Sequence, residues 1–345
     1  MKLSPKIFFI EPPGPRRNLL LNNAVLQRAK DLEYKIYLND NVYSLSDEQW
    51  AEQLIDVEAL ITTWGTPKLN KTVLSKNTTL KIIGHAAGSV ATFVTPEVFK
   101  RGIKVISSNC VMASSVAEWS LMMTIFSLRK TKDFTQFGGT GTISWENRKS
   151  GKGVHDSVIG IWGFGDVAKK LIDFLKPFSP KQILVSGYDL TETQAEQSGI
   201  RKVSLDELFR ESDVIHLLAS LTENTKYNVG RKQLELIKTG ATFINAGRAV
   251  LVEPNALLHE LAKNRFNAIL DVHYEEPLPL DSPYRKFKNV ILSPHTAGCG
   301  SEGLYLLHIL DEFERFFSNK PLRYEISQER ANNMTKDHLT NILIS

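Results

Sequence analysis

The stretch from Ile159 to Ala168, IGIWGFGDVA, runs from apolar residues through a glycine-punctuated turn into a sequence of helical character. Its Gly163-x-Gly165-x-x-Ala168 spacing matches the fingerprint of a turn that binds a dinucleotide, with alanine in the third position. Gly163 permits a tight turn, Gly165 lets the backbone approach a pyrophosphate, and Ala168 keeps the following helix close to the strand. Because the N-terminus of such a helix attracts phosphates, the candidate phosphate-binding residues are Gly163, Phe164, Gly165, Asp166 and Val167.

A second apolar run, QILVSGYDL, ends near Asp189, which lies 26 positions after Gly163. An acidic residue about 20 positions beyond the first glycine accepts the ribose hydroxyls of NAD, and the extended KPFSPKQ turn accounts for the longer spacing. No arginine stands at 190–192 to pair with a 2′-phosphate, so the sequence favours NAD over NADP. The alternative is an ordinary strand–helix turn with a surface aspartate.

The rest of the chain alternates short apolar runs with amphipathic stretches, which predicts βα units and parallel sheets. Before the glycine turn, we predict strands at 6–10, 35–38, 59–63, 81–84 and 104–107, and helices at 18–31, 46–56, 70–76 and 95–101. After it, we predict strands at 158–162, 183–188, 214–218, 241–245, 267–271 and 289–292, and helices at 166–176, 205–210, 230–237, 254–263 and 302–318. A chain of 345 residues exceeds the usual size of one core, so two domains are expected.

Residues 114–130, SSVAEWSLMMTIFSLRK, are apolar nearly all round, which predicts a helix buried between two domains or across a subunit contact. Ser115 and Glu118 have the spacing of a capping box at its start, and Arg129 and Lys130 suit the negative end of the helix dipole. The polar, glycine-rich segment 131–153 predicts an exposed connection. The last residues, about 330–345, predict an added helix or a frayed tail.

Composition narrows the class of protein. The 42 basic and 38 acidic residues give a net charge of +4 with no basic run of five, which does not support a nucleic-acid partner. Cys110 and Cys299 have neither metal-ligand spacing nor the pattern of a disulfide framework, so no metal site is expected. The apolar run at 7–10 is too short for a signal peptide, and no later run approaches membrane-spanning length. We therefore expect a soluble, cytoplasmic protein.

Three charged residues follow predicted strands, and ligands of open α/β sheets bind beyond the carboxyl ends of strands. Arg248 follows ATFINAG, Glu276 follows AILDV within HYEEP, and His295 follows NVILSPH. Together they suit the reduction of a carbonyl. The histidine donates a proton as hydride arrives, the carboxylate orients the imidazole, and the arginine binds a substrate carboxylate. Taken singly, each has a structural alternative: an exposed arginine, a solvated acid or a structural histidine.

Other polar residues are assigned structural roles. His85, His155, His216 and His273 have no partner that the sequence reveals, so packing or surface positions are expected for them. Glu275 is expected to be solvated, and Tyr305 is expected to belong to the core.

The chain resembles the D-isomer-specific 2-hydroxyacid dehydrogenase family over roughly residues 5–325. The motifs that carry the resemblance are SVAE at 115–118, GIWGFGDVA at 160–168, LASLTENT at 218–225, INAGR at 244–248, LDVHYEEPLP at 270–279 and SPHTAG at 293–298. Their order and spacing argue against a chance match.

The resemblance implies a role for each matching residue. It assigns catalysis to Arg248, Glu276 and His295. It also implies that Asp271 contacts the nicotinamide amide and that Val116 packs against the nicotinamide ring. The matched cofactor loops add Ala219, Ser220, Ala246 and Gly247, with Arg248 and His295 also close to the cofactor. The HAAGSV loop at 85–90 corresponds to the loop whose N–H groups hold the substrate carboxylate, which gives Ala87, Gly88 and Ser89.

The resemblance also implies the architecture: two doubly wound parallel-sheet domains, Rossmann-like and flavodoxin-like. A substrate domain from residues 1–113 and 297–330 would be interrupted by an NAD-binding domain at 114–296 and followed by an extension at 331–345. The late position of the glycine turn follows from this insertion. The family also implies a homodimer.

Two positions depart from relatives. Met112 stands where formate-oxidising relatives have asparagine, and a thioether cannot replace that amide, which argues against formate. Trp64 stands where phosphoglycerate-type relatives have arginine. Trp64 is therefore a candidate wall of the substrate pocket, and packing between domains is the alternative.

These features predict an NAD-dependent oxidoreductase that interconverts a 2-keto acid and a D-2-hydroxy acid, with His295 as proton donor and acceptor. The alternative is an NAD(H)-sensing corepressor or scaffold on the same fold, with little or no turnover. Oxidation of phosphite or formate is a third hypothesis, which Met112 weakens.

Overall fold

A computed structural model of the chain describes residues 4–40, 45–131 and 151–339. The described residues form two compact units. The first unit comes from Met1–Met112 and Cys299–Lys336, and the second comes from Ala113–Gly298 together with 337–339. Most of the connection predicted at 131–153 lies outside the described residues.

In its described part, the first unit contains one parallel sheet of five strands in the order β2-β1-β3-β4-β5. Its strands are β1 (Lys6–Phe9), β2 (Lys35–Leu38), β3 (Ala59–Thr62), β4 (Ile82–His85) and β5 (Lys104–Ser107). Its helices are α1 (Pro15–Leu20), α2 (Asn23–Asp31), α3 (Asp47–Gln53), α4 (Pro96–Lys100) and the start of α5 (Asn109–Leu128), followed much later by α11 (Tyr305–Phe317) and α12 (Gln328–Asn333). Every residue of β3 and β4 is buried, as expected when helices cover both faces of a parallel sheet. This strand order is the flavodoxin-like one.

In its described part, the second unit contains a parallel sheet of seven strands in the order β12-β11-β10-β9-β6-β7-β8. Its strands are β6 (Val158–Trp162), β7 (Gln182–Ser186), β8 (Arg201–Lys202), β9 (Val214–Leu217), β10 (Thr242–Asn245), β11 (Asn267–Leu270) and β12 (Val290–Leu292). Besides most of α5, its helices are α6 (Asp166–Leu175), α7 (Glu192–Ser198), α8 (Leu205–Glu211), α9 (Arg231–Leu236) and α10 (Pro254–Ala262). Read from β8, this is the Rossmann order with a seventh strand added at one edge. The predicted fold class, two doubly wound parallel-sheet units, is confirmed.

Three local predictions are wrong. The segment predicted as a helix at 70–76 is a turn: Asn70 Oδ1 accepts a hydrogen bond from Val73 N–H at 2.9 Å, and a single turn follows before Asn77 ends it. Helix α5 begins at Asn109, so Ser115 lies inside the helix and does not cap its start. The predicted helix at 18–31 is divided into α1 and α2 because Asn22 caps a new helix through Val25 N–H.

Helix α5 is long and apolar enough to cross a membrane by length and composition, so the expectation that no run approaches that length is wrong. The core helix of a soluble protein passes the same test. Length and composition therefore do not assign this helix to a membrane.

Candidate active site

The glycine turn in the second unit needs glycine at its first position. Gly163 directly follows β6 with a φ of 111°, a conformation that L side chains rarely adopt. A Cβ added there would lie 2.7 Å from the backbone nitrogen of Ala219, in the loop after β9. The N–H of Gly163 donates a hydrogen bond to Ser186 O at 2.8 Å, which ties the turn to β7. The turn is therefore packed between the ends of two strands that neighbour β6.

The second glycine has free space in front of it. A Cβ added at Gly165 would meet no atom of the described chain within 4 Å. Gly165 is also the N-cap of α6 and has no side chain with which to cap that helix. Ala168 is fully buried, so α6 packs close to the sheet. Open space before a helix N-terminus fits a pyrophosphate.

Beyond β7, the side chain of Asp189 is exposed and makes no hydrogen bond or ion pair with the described residues. Its neighbour Tyr188 is 72% exposed and accepts a hydrogen bond from Asn228 Nδ2 at 3.2 Å. The Asp189 carboxylate thus keeps its acceptor oxygens for a ligand, as the sequence predicts for the acid that binds ribose.

Glu276 and His295 form a hydrogen-bonded pair in the second unit. Nδ1 of His295 lies 2.7 Å from Oε2 of Glu276, and Oε1 of Glu276 accepts the His273 N–H at 2.9 Å. Burial raises the pKa of Glu276, but the hydrogen bonds from His295 and His273 outweigh it and the net pKa is lowered. The carboxylate therefore stays ionised beside the imidazole. Glu275 is exposed, so Glu276 is the acid that faces the histidine.

A buried aspartate fixes the loop that carries His295. His295 has a left-handed backbone with a φ of 55°, and its N–H bonds to Asp271 O at 2.8 Å. The Asp271 carboxylate accepts hydrogen bonds from Thr296 N–H, Ala297 N–H and Ser293 Oγ at 2.9, 2.9 and 2.7 Å. Asp271 is 1% exposed, so these bonds form out of water. Asp271 thus organises the histidine loop, a role that the sequence does not reveal.

Arg248 follows β10 at the strand's carboxyl end, and its guanidinium has a protein partner. Nε and Nη2 each lie 3.0 Å from Oδ1 of Asp337, and Nη1 bonds to Gly247 O at 2.8 Å. The side chain of Asn245 binds Gly247 N–H and Arg248 O at 3.1 Å each, which holds the backbone here. Sequence reasoning missed Asp337, because a residue that far along the chain carries no local signal toward Arg248.

In the first unit, the loop after β4 presents backbone N–H groups. Ala86 N–H bonds to Thr62 O at 2.7 Å, but the next three residues, Ala87, Gly88 and Ser89, donate no backbone hydrogen bond to the described residues. A run of unbound N–H groups is suited to an anion. Ser89 Oγ donates to Thr335 O at 2.6 Å. A Cβ on Gly88 would lie 3.4 Å from Met112 Sδ, so that thioether borders the loop.

The structure defines the surroundings of His85 and Trp64 in the first unit. Burial lowers the pKa of His85 to about 3, so this histidine is neutral and cannot supply a proton near neutral pH. Trp64 lies under the guanidinium of Arg16 at 5.7 Å, and its ring is 6.4 Å from that of Tyr305. Tyr305 is 1% exposed, in agreement with its expected core position.

The remaining predicted cofactor residues surround the glycine turn or the neighbouring strand ends. Ala219 contacts the turn, and Ser220 O accepts a hydrogen bond from Thr225 Oγ1 at 2.6 Å. Ala246 and Gly247 follow β10. Val116 is buried in α5. The structure thus brings together the predicted turn residues, and it pairs Glu276 with His295. The sequence did not predict the supporting roles of His273 and Ser293.

A Rossmann-ordered sheet, a glycine turn and polar residues at the strand ends define a dinucleotide-binding α/β protein. The family model described as D-isomer specific 2-hydroxyacid dehydrogenase, NAD binding domain, matches residues 121–297. The chain belongs to this family.

Individual proteins are also similar to this chain. A glyoxylate reductase from Thermococcus litoralis is 31% identical over 258 residues, which are 73% of this chain and 77% of that protein. A D-3-phosphoglycerate dehydrogenase from Methanocaldococcus jannaschii is 30% identical over 264 residues, which are 75% of this chain but only 49% of that protein, so this chain spans about half of its length. The crystal structure of a phosphoglycerate oxidoreductase from Rhizobium etli aligns with a TM-score of 0.78 at 27% identity, covering 94% of this chain and 99% of that one.

Proposed function

We propose that the protein is an NAD-dependent oxidoreductase that interconverts a 2-keto acid and a D-2-hydroxy acid. The observation that carries the proposal is the pair of His295 and Glu276 at 2.7 Å, in the same unit as the glycine turn. His295 Nε2 makes no hydrogen bond with the described residues, and its side chain is 41% exposed. It can therefore meet a ligand and exchange protons with water.

In the reducing direction, His295 acts as the acid. NADH, when bound, supplies the hydride to the carbonyl carbon. His295 donates the Nε2 proton to the carbonyl oxygen and becomes neutral, and water restores the proton. Glu276 holds Nδ1, so the imidazole is oriented and its cationic form is stabilised. Oxidation reverses these steps, with neutral His295 accepting the hydroxyl proton.

Two groups are suited to the substrate carboxylate, one in each unit. Arg248 offers a planar guanidinium, which pairs with carboxylates through two parallel N–H bonds. The loop of Ala87, Gly88 and Ser89 offers N–H groups that donate no hydrogen bond to the described residues. Arg248 can be tested by substitution, because it does not belong to the proton-transfer pair, whereas the loop N–H groups remain after any substitution except one by proline.

We assign the dinucleotide to the glycine turn and to Asp189. The exposed Asp189 carboxylate can accept both ribose hydroxyls but would repel a 2′-phosphate, which favours NAD over NADP. Replacing Asp189 with asparagine is expected to weaken NADH binding about tenfold or more while improving the ratio of NADPH to NADH turnover. Titration of each cofactor, followed by its fluorescence, measures both quantities.

The substrate side chain is assigned to the region of Trp64. Its ring gives an apolar wall, and the Arg16 guanidinium 5.7 Å from the ring adds a positive charge nearby. The relatives include a glyoxylate reductase and a phosphoglycerate dehydrogenase, so small 2-keto acids belong in the test set.

The deciding experiment follows NADH oxidation with a panel of 2-keto acids, from glyoxylate and pyruvate to branched and aromatic members, with NADPH in parallel. Turnover with NADH is expected, and Arg248→Lys should raise the KM for the 2-keto acid. Tight NADH binding without turnover of any member would favour the NAD(H)-sensing alternative. In that case, NADH-dependent change in oligomeric state becomes the next measurement.

A further inference from the structure

The candidate substrate arginine already binds a carboxylate from its own chain. Oδ1 of Asp337 lies 3.0 Å from both Nε and Nη2 of Arg248. Both side chains are mostly buried, with exposed fractions of 25% and 22%. Nε and Nη2 form the edge of the guanidinium that takes a carboxylate side-on, and one Asp337 oxygen occupies that edge.

The segment that carries Asp337 is anchored on both sides of it. Met334 is 8% exposed and packs in the core of the first unit. Leu339 is 9% exposed and packs in the core of the second unit. Residues 337–339 also form a short 3₁₀ turn. Leu339 lies two positions from Asp337 and packs in the same unit as Arg248, so the Asp337 carboxylate acts at a high local concentration.

The same segment contacts the other candidate carboxylate-binding group. Thr335, two positions before Asp337, accepts a hydrogen bond from Ser89 Oγ at 2.6 Å. Ser89 belongs to the loop whose N–H groups suit an anion. The C-terminal segment therefore contacts the Ser89 side chain through Thr335 and the Arg248 guanidinium through Asp337.

Arg248 has limited capacity for a second carboxylate. Nε donates a hydrogen bond to Asp337 Oδ1, Nη2 forms an ion pair with the same oxygen at 3.0 Å, and Nη1 donates to Gly247 O. A substrate carboxylate can therefore reach the edge of Nε and Nη2 only after Asp337 leaves it. Gly247 O is a backbone acceptor and does not compete for that edge.

We propose that Asp337 is an internal competitor for the substrate: its carboxylate occupies the side-on edge of Arg248 and must be displaced by the carboxylate of the 2-keto acid. This inference rests on the proposed function, in which Arg248 binds that carboxylate. Asp337 is then a residue that sets substrate affinity. Asp337 therefore favours 2-keto acids that have, besides the carboxylate, a second group that binds the protein and helps to displace it.

The test compares the unmodified chain with Asp337→Asn, which keeps the shape but removes the charge. Asp337→Glu keeps a carboxylate on the segment. Glu329→Gln is the matched control, because Glu329 is an exposed acid on α12 of the same C-terminal region. Each protein is assayed for NADH oxidation with the best 2-keto acid of the panel, and its affinity for oxamate is measured by calorimetry with NADH present.

Asp337→Asn is expected to lower both KM and the oxamate dissociation constant about fivefold, the order expected from loss of a partly exposed ion pair. The kcat should stay within about twofold, and both Asp337→Glu and Glu329→Gln should stay close to the unmodified protein. If Glu329→Gln has a similar effect, the loss of one negative charge in this region explains the result, and the inference is overturned. An unchanged or raised KM in Asp337→Asn overturns it too, and a raised KM with lowered kcat would make Asp337 a residue that positions Arg248.

The binding measurement separates this inference from the proposed function. If no 2-keto acid is reduced but Asp337→Asn still binds oxamate more tightly, the proposed reaction fails and competition at Arg248 stands. If the enzyme turns over and oxamate affinity does not change, the reaction stands and the competition fails. Absence of oxamate binding by both proteins refutes the competition.

Discussion

Nδ1 of His295 lies 2.7 Å from Oε2 of Glu276, and the other carboxylate oxygen of Glu276 is held by the His273 N–H at 2.9 Å. The imidazole is thus oriented by a carboxylate that is itself fixed by backbone. Because Nδ1 is engaged in this bond, Nε2 is the nitrogen that remains for a substrate.

Replacing Glu276 with glutamine keeps the size of the side chain but removes the charge that stabilises a protonated imidazole. We expect kcat for 2-keto acid reduction to fall about 100-fold, within the range attributed to general acid–base catalysis, with KM changed less than about threefold. Steady-state NADH oxidation measures both values. The matched control is Glu275→Gln, since Glu275 is the exposed neighbour. Equal losses in the two variants would contradict the assignment.

Replacing His295 with asparagine tests the proton donor without straining its loop. His295 has a φ of 55°, and asparagine tolerates this left-handed conformation better than most residues. We expect kcat to fall about 100-fold to 10,000-fold, while NADH binding by fluorescence titration stays within about twofold. A variant that retains more than about a tenth of the activity would exclude His295 as the proton donor.

Asp271→Asn tests whether this carboxylate holds the His295 loop. Its oxygens accept three hydrogen bonds, and an asparagine amide would turn an NH₂ group toward one of the donors. We expect a loss of about 2 kcal/mol in the free energy of unfolding, because a buried donor loses its charged acceptor. Urea unfolding measures the loss. Ser293→Ala removes only one of the three bonds and should cost about 1 kcal/mol, so a larger effect of Ser293→Ala would reverse the assignment.

Much of the fold could be predicted from the sequence, because parallel sheets produce strong local patterns. The strands at Lys35–Leu38, Lys104–Ser107 and Val158–Trp162 have the predicted bounds. The glycine turn could be located because the φ of 111° at Gly163 requires a specific residue type. Strand β8 escaped prediction because two residues give no periodicity.

The supporting contacts of the site could not be predicted in the same way. The Glu276 carboxylate is held by the backbone N–H of His273, and a backbone donor leaves no mark on side-chain identity. The contact of Arg248 with Asp337 joins residues far apart in the chain, so only the folded structure reveals it. The start of α5 was placed too late because Ser115 imitates a cap inside a helix that already began at Asn109. The expected homodimer and cytoplasmic location stay predictions.

The ion-pair cluster around Glu260 gives a prediction for stability against pH. Its side chain on α10 is fully buried, with Oε1 2.5 Å from Lys263 Nζ and Oε2 3.0 Å from Arg265 Nη2. Burial raises the pKa of Glu260, but the bonds to Lys263 and Arg265 outweigh it, so the net pKa lies below the ordinary value of 4.5. The folded state therefore gains stability from this carboxylate above pH 4.5 and loses it as the pH falls through the lowered folded-state pKa.

Glu260→Gln removes this contribution and is expected to cost about 2 kcal/mol of unfolding free energy at neutral pH, less than for a fully buried pair because both cations are partly exposed. The difference from the unmodified chain should shrink as the pH is lowered, since the native carboxylate then becomes protonated and loses its advantage over the amide. Urea unfolding of both proteins from neutral pH to about pH 3 measures this difference across the range over which the carboxylate titrates. The matched control is Glu235→Gln, which breaks an exposed pair with Arg231 at 3.2 Å and should change stability by less than about 0.5 kcal/mol. A stability gap for Glu260→Gln that stays constant or widens in acid would show that the ionised carboxylate does not stabilise this unit.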